Sequence, residues 1–118
     1  MIAFDHVQLA MPPRGESCAR AFFVGVLGLM ELPKPADLAA HGGCWFGHDA
    51  MQLHLGVDYD FRPARRAHVA FEVSNLAEIA ARLVEAGAPV DPVGAINGRA
   101  RFNSADPFGN RLEFIATA

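Results

Sequence analysis

The sequence reads Asp106-Pro107-Phe108-Gly109-Asn110-Arg111-Leu112-Glu113-Phe114-Ile115 close to its C-terminal end. Asp-Pro favours the start of a turn, Gly-Asn tolerates the positive φ angles that turns require, and the residues from Arg111 onward alternate as in a β-strand. Successive side chains of a strand point to opposite faces, so Leu112 and Phe114 share one face and Glu113 lies on the other. The pattern predicts a strand with a carboxylate in its middle.

Three other predicted strands also carry a polar residue between apolar neighbours. His6 lies within Ile2 to Ala10, Gln52 within the strand that starts at Met51, and His68 within the strand that starts at Ala67. His6 and His68 are 62 positions apart (68 − 6), and Gln52 and Glu113 are 61 apart (113 − 52). These offsets indicate an internal repeat.

Two amphipathic helices repeat in the same way. The first is predicted to begin at Ser17 as N-cap and to end at Gly28, and the second to begin at Asn75 and to end at Gly87. The two glycines are 59 positions apart (87 − 28). Each half of the chain therefore reads as a strand, a helix and three further strands.

The repeat predicts how the domain is organised. One helix can cover one face of the sheet in each half but not the other, so the two halves must combine. We expect a single α+β domain over residues 1–118, with module one at about 1–60 and module two at about 61–118. The uncovered sheet faces would then line a shared cleft that carries His6, Gln52, His68 and Glu113.

The composition limits the classes of function. The chain has 118 residues, of which 52% are hydrophobic and 19% charged, so it is expected to fold. A net charge of −3 gives no general attraction to nucleic acid. No apolar run has the length of a membrane span and no signal peptide is recognisable, so we expect a cytoplasmic protein without a membrane partner. Cys18 and Cys44 have no metal-binding spacing and are expected to be reduced thiols.

The four polar residues form a reasonable ligand set for a divalent metal ion. Two imidazoles, one carboxamide and one carboxylate without a thiolate suit Zn²⁺, Ni²⁺, Co²⁺, Fe²⁺ or Mn²⁺ with positions open to water or substrate. Open positions indicate catalysis rather than a structural role. The alternative for each histidine is an ordinary hydrogen-bonded, half-buried side chain.

Three further residues are candidates for contacts with a substrate. His54 shares a face with Gln52 and is expected in the pocket wall, with a role as a metal ligand if Gln52 turns away. Trp45 is a candidate for the pocket lining, and Arg101 is a candidate for binding an anion. The alternatives are a core position for Trp45 and a solvated surface position for Arg101.

The sequence resembles the vicinal oxygen chelate superfamily, which includes glyoxalases, bleomycin-resistance proteins, fosfomycin-resistance enzymes, methylmalonyl-CoA epimerases and extradiol dioxygenases. The resemblance covers nearly the whole chain and rests on Asp5-His6-Val7, Phe22-Phe23 through Leu27-Gly28-Leu29, Ala67-His68-Val69-Ala70-Phe71, and Asp106 through Glu113. It implies paired βαβββ modules, a cleft of the glyoxalase type, and a homodimer whose sites lie between modules. It also implies that His6, Gln52, His68 and Glu113 are the metal positions.

The resemblance implies a function in general terms. A substrate with adjacent oxygen atoms would bind the metal, which acts as a Lewis acid, and Glu113 would serve as the general base. The expected activity is that of a lyase, isomerase or dioxygenase on a small molecule. Gln52 departs from the glyoxalases, which usually have a glutamate there, and it cannot take a proton. The alternative function is that of a metal-free protein of the bleomycin-resistance type, which binds and sequesters a small molecule.

Overall fold

Two four-stranded sheets form the framework of the protein. The computed structural model describes residues 1–118 and divides into two units, Met1–Arg62 and Pro63–Ala118, with one sheet in each. The strands are β1 (Val7–Met11), β2 (Met30–Leu32), β3 (Cys44–His48), β4 (Met51–Val57), β5 (His68–Val73), β6 (Asp91–Ile96), β7 (Arg99–Ala105) and β8 (Arg111–Ala116). The helices are α1 (Glu16–Arg20), which continues as a π-helical segment (Ala21–Val26), α2 (Ala36–Ala39) and α3 (Leu76–Glu85).

Both units have the same strand order. It is β1-β4-β3-β2 in the first unit and β5-β8-β7-β6 in the second. The first and last strands of each unit, β1 with β4 and β5 with β8, pair in parallel, and the other neighbours are antiparallel. The predicted α+β class, with a βαβββ module in each half, is therefore confirmed. None of the helices is long and apolar enough to cross a bilayer.

One face of each sheet is built from large apolar side chains. In the first unit Phe23, in the π-helical segment, stacks on Phe46 of β3 with ring centroids 5.3 Å apart, beside the buried Leu53 and Leu55 of β4. The opposite faces of the same strands carry the polar residues, because side chains alternate along a strand.

The second unit has an equivalent aromatic core. Phe71 of β5 and Phe102 of β7 each stack on Phe114 of β8, at 5.4 Å between centroids. Leu112 of β8 and Leu83 of α3 are fully buried. The face of β8 opposite to this core carries Glu113.

The first strand is shorter than predicted. It begins at Val7 instead of Ile2, and His6 directly precedes it. The register pairs Val7 with Leu53, and β4 begins at Met51, so the residues before Asp5 extend beyond the end of their neighbour strand. Without a partner strand these residues stay exposed and irregular.

The helix starts were predicted with mixed success. Asn75 caps α3 as predicted, since its side chain accepts a hydrogen bond from the Glu78 backbone N–H at 3.1 Å. Ser17 is not an N-cap, because Arg14 adopts a φ of 65° and α1 already begins at Glu16. The chain has turned into the helix before Ser17 is reached.

The sixth strand ends in a tight turn. β6 extends from Asp91 to Ile96. A tight turn at Asn97 and Gly98, with φ angles of 50° and 76°, joins β6 directly to β7. This hairpin turn fixes the end of β6.

Candidate functional site

The carboxylate of Glu113 lies beside the imidazole of His68 in the second unit. Glu113 is only 6% exposed, and its Oε1 is 3.0 Å from Nε2 of His68. Ala70 is the residue directly opposite Glu113 in the parallel β5–β8 pair, and His68 is opposite Arg111. Since Ala70 carries only a methyl group, the glutamate side chain can reach His68, two residues nearer the start of β5.

The hydrogen bonds of His68 determine what this pair requires. Nδ1 of His68 is 2.9 Å from the backbone oxygen of Arg66, which can only accept, so Nδ1 carries a proton. In a neutral imidazole Nε2 is then an acceptor, and it faces the oxygen of Glu113, which accepts when ionised. Two acceptors 3.0 Å apart need a cation between them, either a proton or a metal ion.

The geometry of the pair suits a metal ion. Nitrogen and oxygen ligands lie roughly 2.1 Å from Zn²⁺, so two such ligands at a right angle are roughly 3.0 Å apart. Nδ1 bound to a backbone carbonyl is also the usual arrangement for a metal-binding histidine. The donor atoms of His68 and Glu113 therefore fit a divalent transition metal ion.

Arg101 approaches the same carboxylate from β7. Its Nη1 is 3.5 Å from Oε1 of Glu113, and its side chain is 23% exposed. Its Nε donates a hydrogen bond of 2.8 Å to the backbone oxygen of Gly94. The register of β6 shifts between Val93 and Ile96, so Gly94 lies in a β-bulge. The bulge thus supplies the carbonyl group that holds Arg101 next to Glu113.

A stack of three rings occupies the polar face of the sheet in the first unit. His54 lies between Trp45 and His6, at 4.0 Å from the first ring and 4.1 Å from the second, and the interplanar angles are 5° and 15°. Nε2 of His54 is 3.1 Å from Oε1 of Gln52. Burial lowers the pKa of His54, and the neighbouring His6 lowers it further. His54 is therefore an uncharged imidazole at neutral pH.

His6 resembles His68 in its hydrogen bonding. Nδ1 of His6 is 2.8 Å from Oδ2 of Asp5, just as Nδ1 of His68 contacts a backbone oxygen. An acceptor at Nδ1 fixes the proton there and leaves Nε2 free as a ligand. Both histidines therefore have the tautomer that binds a metal through Nε2.

The strand register gives a repeat alignment on β4 that differs from the one read from the sequence. Val7 pairs with Leu53, which brings position 52 opposite His6, whereas His68 pairs with Arg111. If His6 and His68 are equivalent, Gln52 corresponds to Arg111. His54 then corresponds to Glu113.

Two further observations agree with this register. The offset from His54 to Glu113 is 59 (113 − 54), the same as that between Gly28 and Gly87 (87 − 28). His54 and Glu113 are also buried alike, at 5% and 6% exposure. The glycine offset was the signal in the sequence that would have identified His54 as the equivalent residue.

The structure thus brings the predicted residues together in two sets. His68, Glu113 and Arg101 are adjacent in the second unit, and His6, Gln52, His54 and Trp45 are adjacent in the first. No group of three or more His, Cys, Asp or Glu side chains is placed so that it could hold a metal ion. Whether the predicted residues bind a metal stays a prediction.

Solved structures provide the informative comparison with known proteins. Neither models of protein families nor curated protein sequences match this chain. A glyoxalase family protein from Bacillus anthracis is 42% identical, with a TM-score of 0.93 over 100% of this chain and 97% of the other.

Two more distant structures share the fold. A glyoxalase/dioxygenase from Nostoc punctiforme is 22% identical, with a TM-score of 0.74 over 98% of this chain and 91% of the other. A variant of the fosfomycin resistance protein FosX from Listeria monocytogenes is 15% identical, with a TM-score of 0.81 over 100% of this chain and 95% of the other. That FosX structure contains Mn(II) and 1S,2S-dihydroxypropylphosphonic acid.

Proposed function

Because this chain belongs to the glyoxalase family of the vicinal oxygen chelate superfamily, we propose that it is a metal-dependent enzyme of small oxygenated molecules. Its substrate would bind a divalent metal ion through two adjacent oxygen atoms. The reaction would be that of a lyase, an isomerase or a dioxygenase. The active form would be a homodimer, as expected for single-domain members.

The contact between His68 and Glu113 carries this proposal. Two acceptor atoms lie 3.0 Å apart, one of them on a carboxylate that is only 6% exposed, and a divalent cation would satisfy both. His6 is the third proposed ligand, because its Nδ1 is already engaged by Asp5. The Mn(II) in the FosX structure supports a divalent ion in this fold.

The fourth ligand would come from β4, where two residues compete. The repeat read from the sequence favours Gln52, whereas the strand register favours His54. A histidine ligand has the metal in its ring plane, and the rings of His6 and His54 are nearly parallel at 15°. The stack would therefore have to open before both rings could bind one ion. We propose His54 as the fourth ligand, with Gln52 as the alternative.

The residues near the proposed ion would divide the chemistry between them. A bound divalent ion supplies Lewis acidity, which makes a proton on the carbon next to a coordinated oxygen easier to remove. Glu113 would accept that proton as general base, and its burial would keep bulk water from competing. Gln52 and His54, as a carboxamide and a neutral imidazole, leave Glu113 as the one carboxylate among the proposed ligands.

Metal analysis tests the proposal. Purified protein, stripped of metal, would be titrated with Mn²⁺, Zn²⁺, Ni²⁺, Co²⁺ and Fe²⁺ and compared with His68→Ala. His48→Ala is the matched control, because His48 is an exposed strand histidine whose imidazole lies 3.3 Å from the carboxylate of the neighbouring Asp49. We expect one tight ion per chain in the wild type and the control, and none in His68→Ala. Equal binding by all three proteins would refute the site.

Two further variants would assign the fourth ligand and the base. We expect His54→Ala to weaken metal binding more than Gln52→Ala does, and the reverse order would assign the position to Gln52. Glu113→Gln should lose turnover on any substrate found for the wild type, and unchanged turnover would rule out Glu113 as the base. Light scattering would test the homodimer against the 12.7 kDa mass of one chain.

A metal-free binding protein is the second candidate, and the ring stack favours it. A planar aromatic ligand placed against His6 would extend the stack of Trp45 and His54. Binding of metal-free bleomycin, followed through the fluorescence of Trp45, would test this function. Tight binding by a protein that retains no metal would support it over the enzymatic proposal.

A further inference from the structure

We propose that the substrate carries an oxyanion group, a carboxylate or a phosphonate, next to its chelating oxygens, and that Arg101 binds this group. The inference rests on the proposed function, because it assumes a metal ion at Glu113. It adds the charge of the substrate and the residue that recognises it.

Arg101 is held in one position by its backbone partner. Its Nε donates to the Gly94 oxygen at 2.8 Å, and its Nη1 lies 3.5 Å from Glu113. These contacts use Nε and Nη1. A guanidinium group fixed at Nε can present its remaining N–H groups to an oxyanion without first losing side-chain freedom.

The neighbouring Arg99 provides a comparison on the same strand, because its guanidinium group is engaged by partners within the protein. Arg99 and Arg101 are two residues apart on β7 and so share a face. Arg99 is satisfied on both sides, because its Nε donates to the Ala116 oxygen and its Nη2 pairs with the carboxylate of Glu72. Arg101 has no carboxylate of its own and must share Glu113 with His68.

A metal ion at Glu113 would make this sharing unfavourable. The carboxylate would then lie between a divalent ion and a guanidinium group, with one negative charge for both. Arg101 is only 23% exposed, so water screens it incompletely. A second anion that reaches the ion and Arg101 together would restore the balance, and the substrate is the group that can supply it.

The position of Arg101 also limits where that anion lies on the substrate. The guanidinium group is within 3.5 Å of an oxygen that is itself a proposed ligand. A ligand of the ion would therefore need its oxyanion group directly beside the chelating oxygens. Small acids with an oxygen on the carbon next to the carboxylate or phosphonate fit this description.

Binding of three small chelators to Mn²⁺-loaded protein would test the inference. Oxalate and phosphonoformate chelate through adjacent oxygens and leave anionic oxygens on the side away from the metal. Acetohydroxamate chelates in the same way but has a methyl group there. Calorimetric dissociation constants would be measured for wild type, Arg101→Gln, Arg101→Lys and the matched control Arg99→Gln.

We expect Arg101→Gln to weaken the binding of oxalate and of phosphonoformate by about tenfold or more, because a charge-assisted hydrogen bond is lost. The binding of acetohydroxamate should be weakened far less. Arg101→Lys should restore part of the affinity, because it keeps the charge but not the paired donors. Arg99→Gln should resemble the wild type. A larger effect on only one of the two anions would identify its group, carboxylate or phosphonate, as the one recognised.

Two results would overturn the inference in different ways. The inference alone would be refuted if wild type and Arg101→Gln both bound Mn²⁺ and had the same affinity for both anions. It would also be refuted if Arg101→Gln lost affinity equally for all three chelators. Failure of the wild type to bind any divalent ion would refute the proposed function and the inference together. Mn²⁺ stoichiometry of each variant, measured first, separates these outcomes and confirms folding.

Discussion

Replacement of Asp106 by alanine should destabilise the second unit more than any other single change in the turn before β8. Asp106 is 5% exposed, and its Oδ1 accepts hydrogen bonds of 2.9 Å from the backbone N–H groups of Phe108 and Asn110. Its Oδ2 accepts a third bond, of 2.8 Å, from Nδ2 of Asn110. Alanine removes the acceptor for all three donors.

The magnitude follows from how many of these donors water can reach. The loss of a hydrogen bond by a buried donor costs about 1–3 kcal/mol. The backbone N–H and the side-chain amide of Asn110 are buried. The backbone N–H of Phe108 is partly exposed and can be hydrated. Burial also raises the pKa of Asp106, so removal of the charged carboxylate recovers part of the loss. We expect a net loss of roughly 2–4 kcal/mol, a large part of the stability of a small domain.

Urea denaturation followed by far-UV circular dichroism at pH 7 would measure this loss. Asp58→Ala is the matched control, because Asp58 makes the same kind of turn bond to the Asp60 N–H at 2.9 Å but is exposed. We expect the control to lose less than about 1 kcal/mol. If Asp106→Ala lost no more than Asp58→Ala, the hydrogen-bond argument would be refuted.

The same carboxylate gives a prediction for pH. Burial raises the pKa of Asp106 above its ordinary value of 3.8, against hydrogen bonds from Asn110 that lower it. Because the pKa of Asp106 is raised in the folded state, its carboxyl group contributes fully to the free energy of unfolding below pH 3.8, the ordinary pKa. This contribution is lost as the pH rises through the raised pKa of the folded state. Asp106→Asn cannot ionise, so its stability relative to the wild type should rise across that window. A constant difference between the two proteins from pH 3 to pH 7 would contradict the pKa shift.

Three further predictions concern the stability of single positions, each measured by urea denaturation. Gly43→Ala should lower the free energy of unfolding by more than about 2 kcal/mol, because Gly43 has a φ of +84° and a Cβ there would lie 2.1 Å from the Leu55 oxygen. Its control Gly87→Ala should cost about 1 kcal/mol, because Gly87 has a similar φ of +80° but open space around its Cα. Ser104→Ala should stabilise the protein by up to about 1 kcal/mol, because the buried Ser104 hydroxyl has no hydrogen-bond partner. Asn75→Ala should cost about 1 kcal/mol by removing the cap of α3, and no change would show that the cap is dispensable.

Local periodicity was sufficient to predict the two modules and which residues face away from the core. Leu112 and Phe114 were predicted on the same face of their strand and are both buried there, and the start of α3 after Asn75 was predicted from the preference of asparagine for the N-cap position. These features depend on neighbours a few positions apart. The packing and the local hydrogen bonds in the structure therefore agree with the alternation of apolar and polar residues in the sequence.

The register of β4 could not be predicted in the same way. Gln52 and His54 share a face, and a shift of two residues moves every side chain to an equivalent position on that face. Periodicity therefore cannot distinguish them, whereas the pairing of Val7 with Leu53, far apart in sequence, does. The contact of Arg101 with Gly94 was hidden for a related reason, because it depends on a bulge in a neighbouring strand.

The equivalence of His54 and Glu113 bears on the charge of the proposed site. Both candidates on β4, Gln52 and His54, are neutral, the second because burial lowers its pKa. Glu113 is then the one negatively charged ligand among those proposed for the divalent ion, and Arg101 next to it adds positive charge. A site of this composition keeps a net positive charge until an anion binds. The neutral residue on β4 and the arginine on β7 thus lead independently to the same expectation, that this protein selects an acidic ligand.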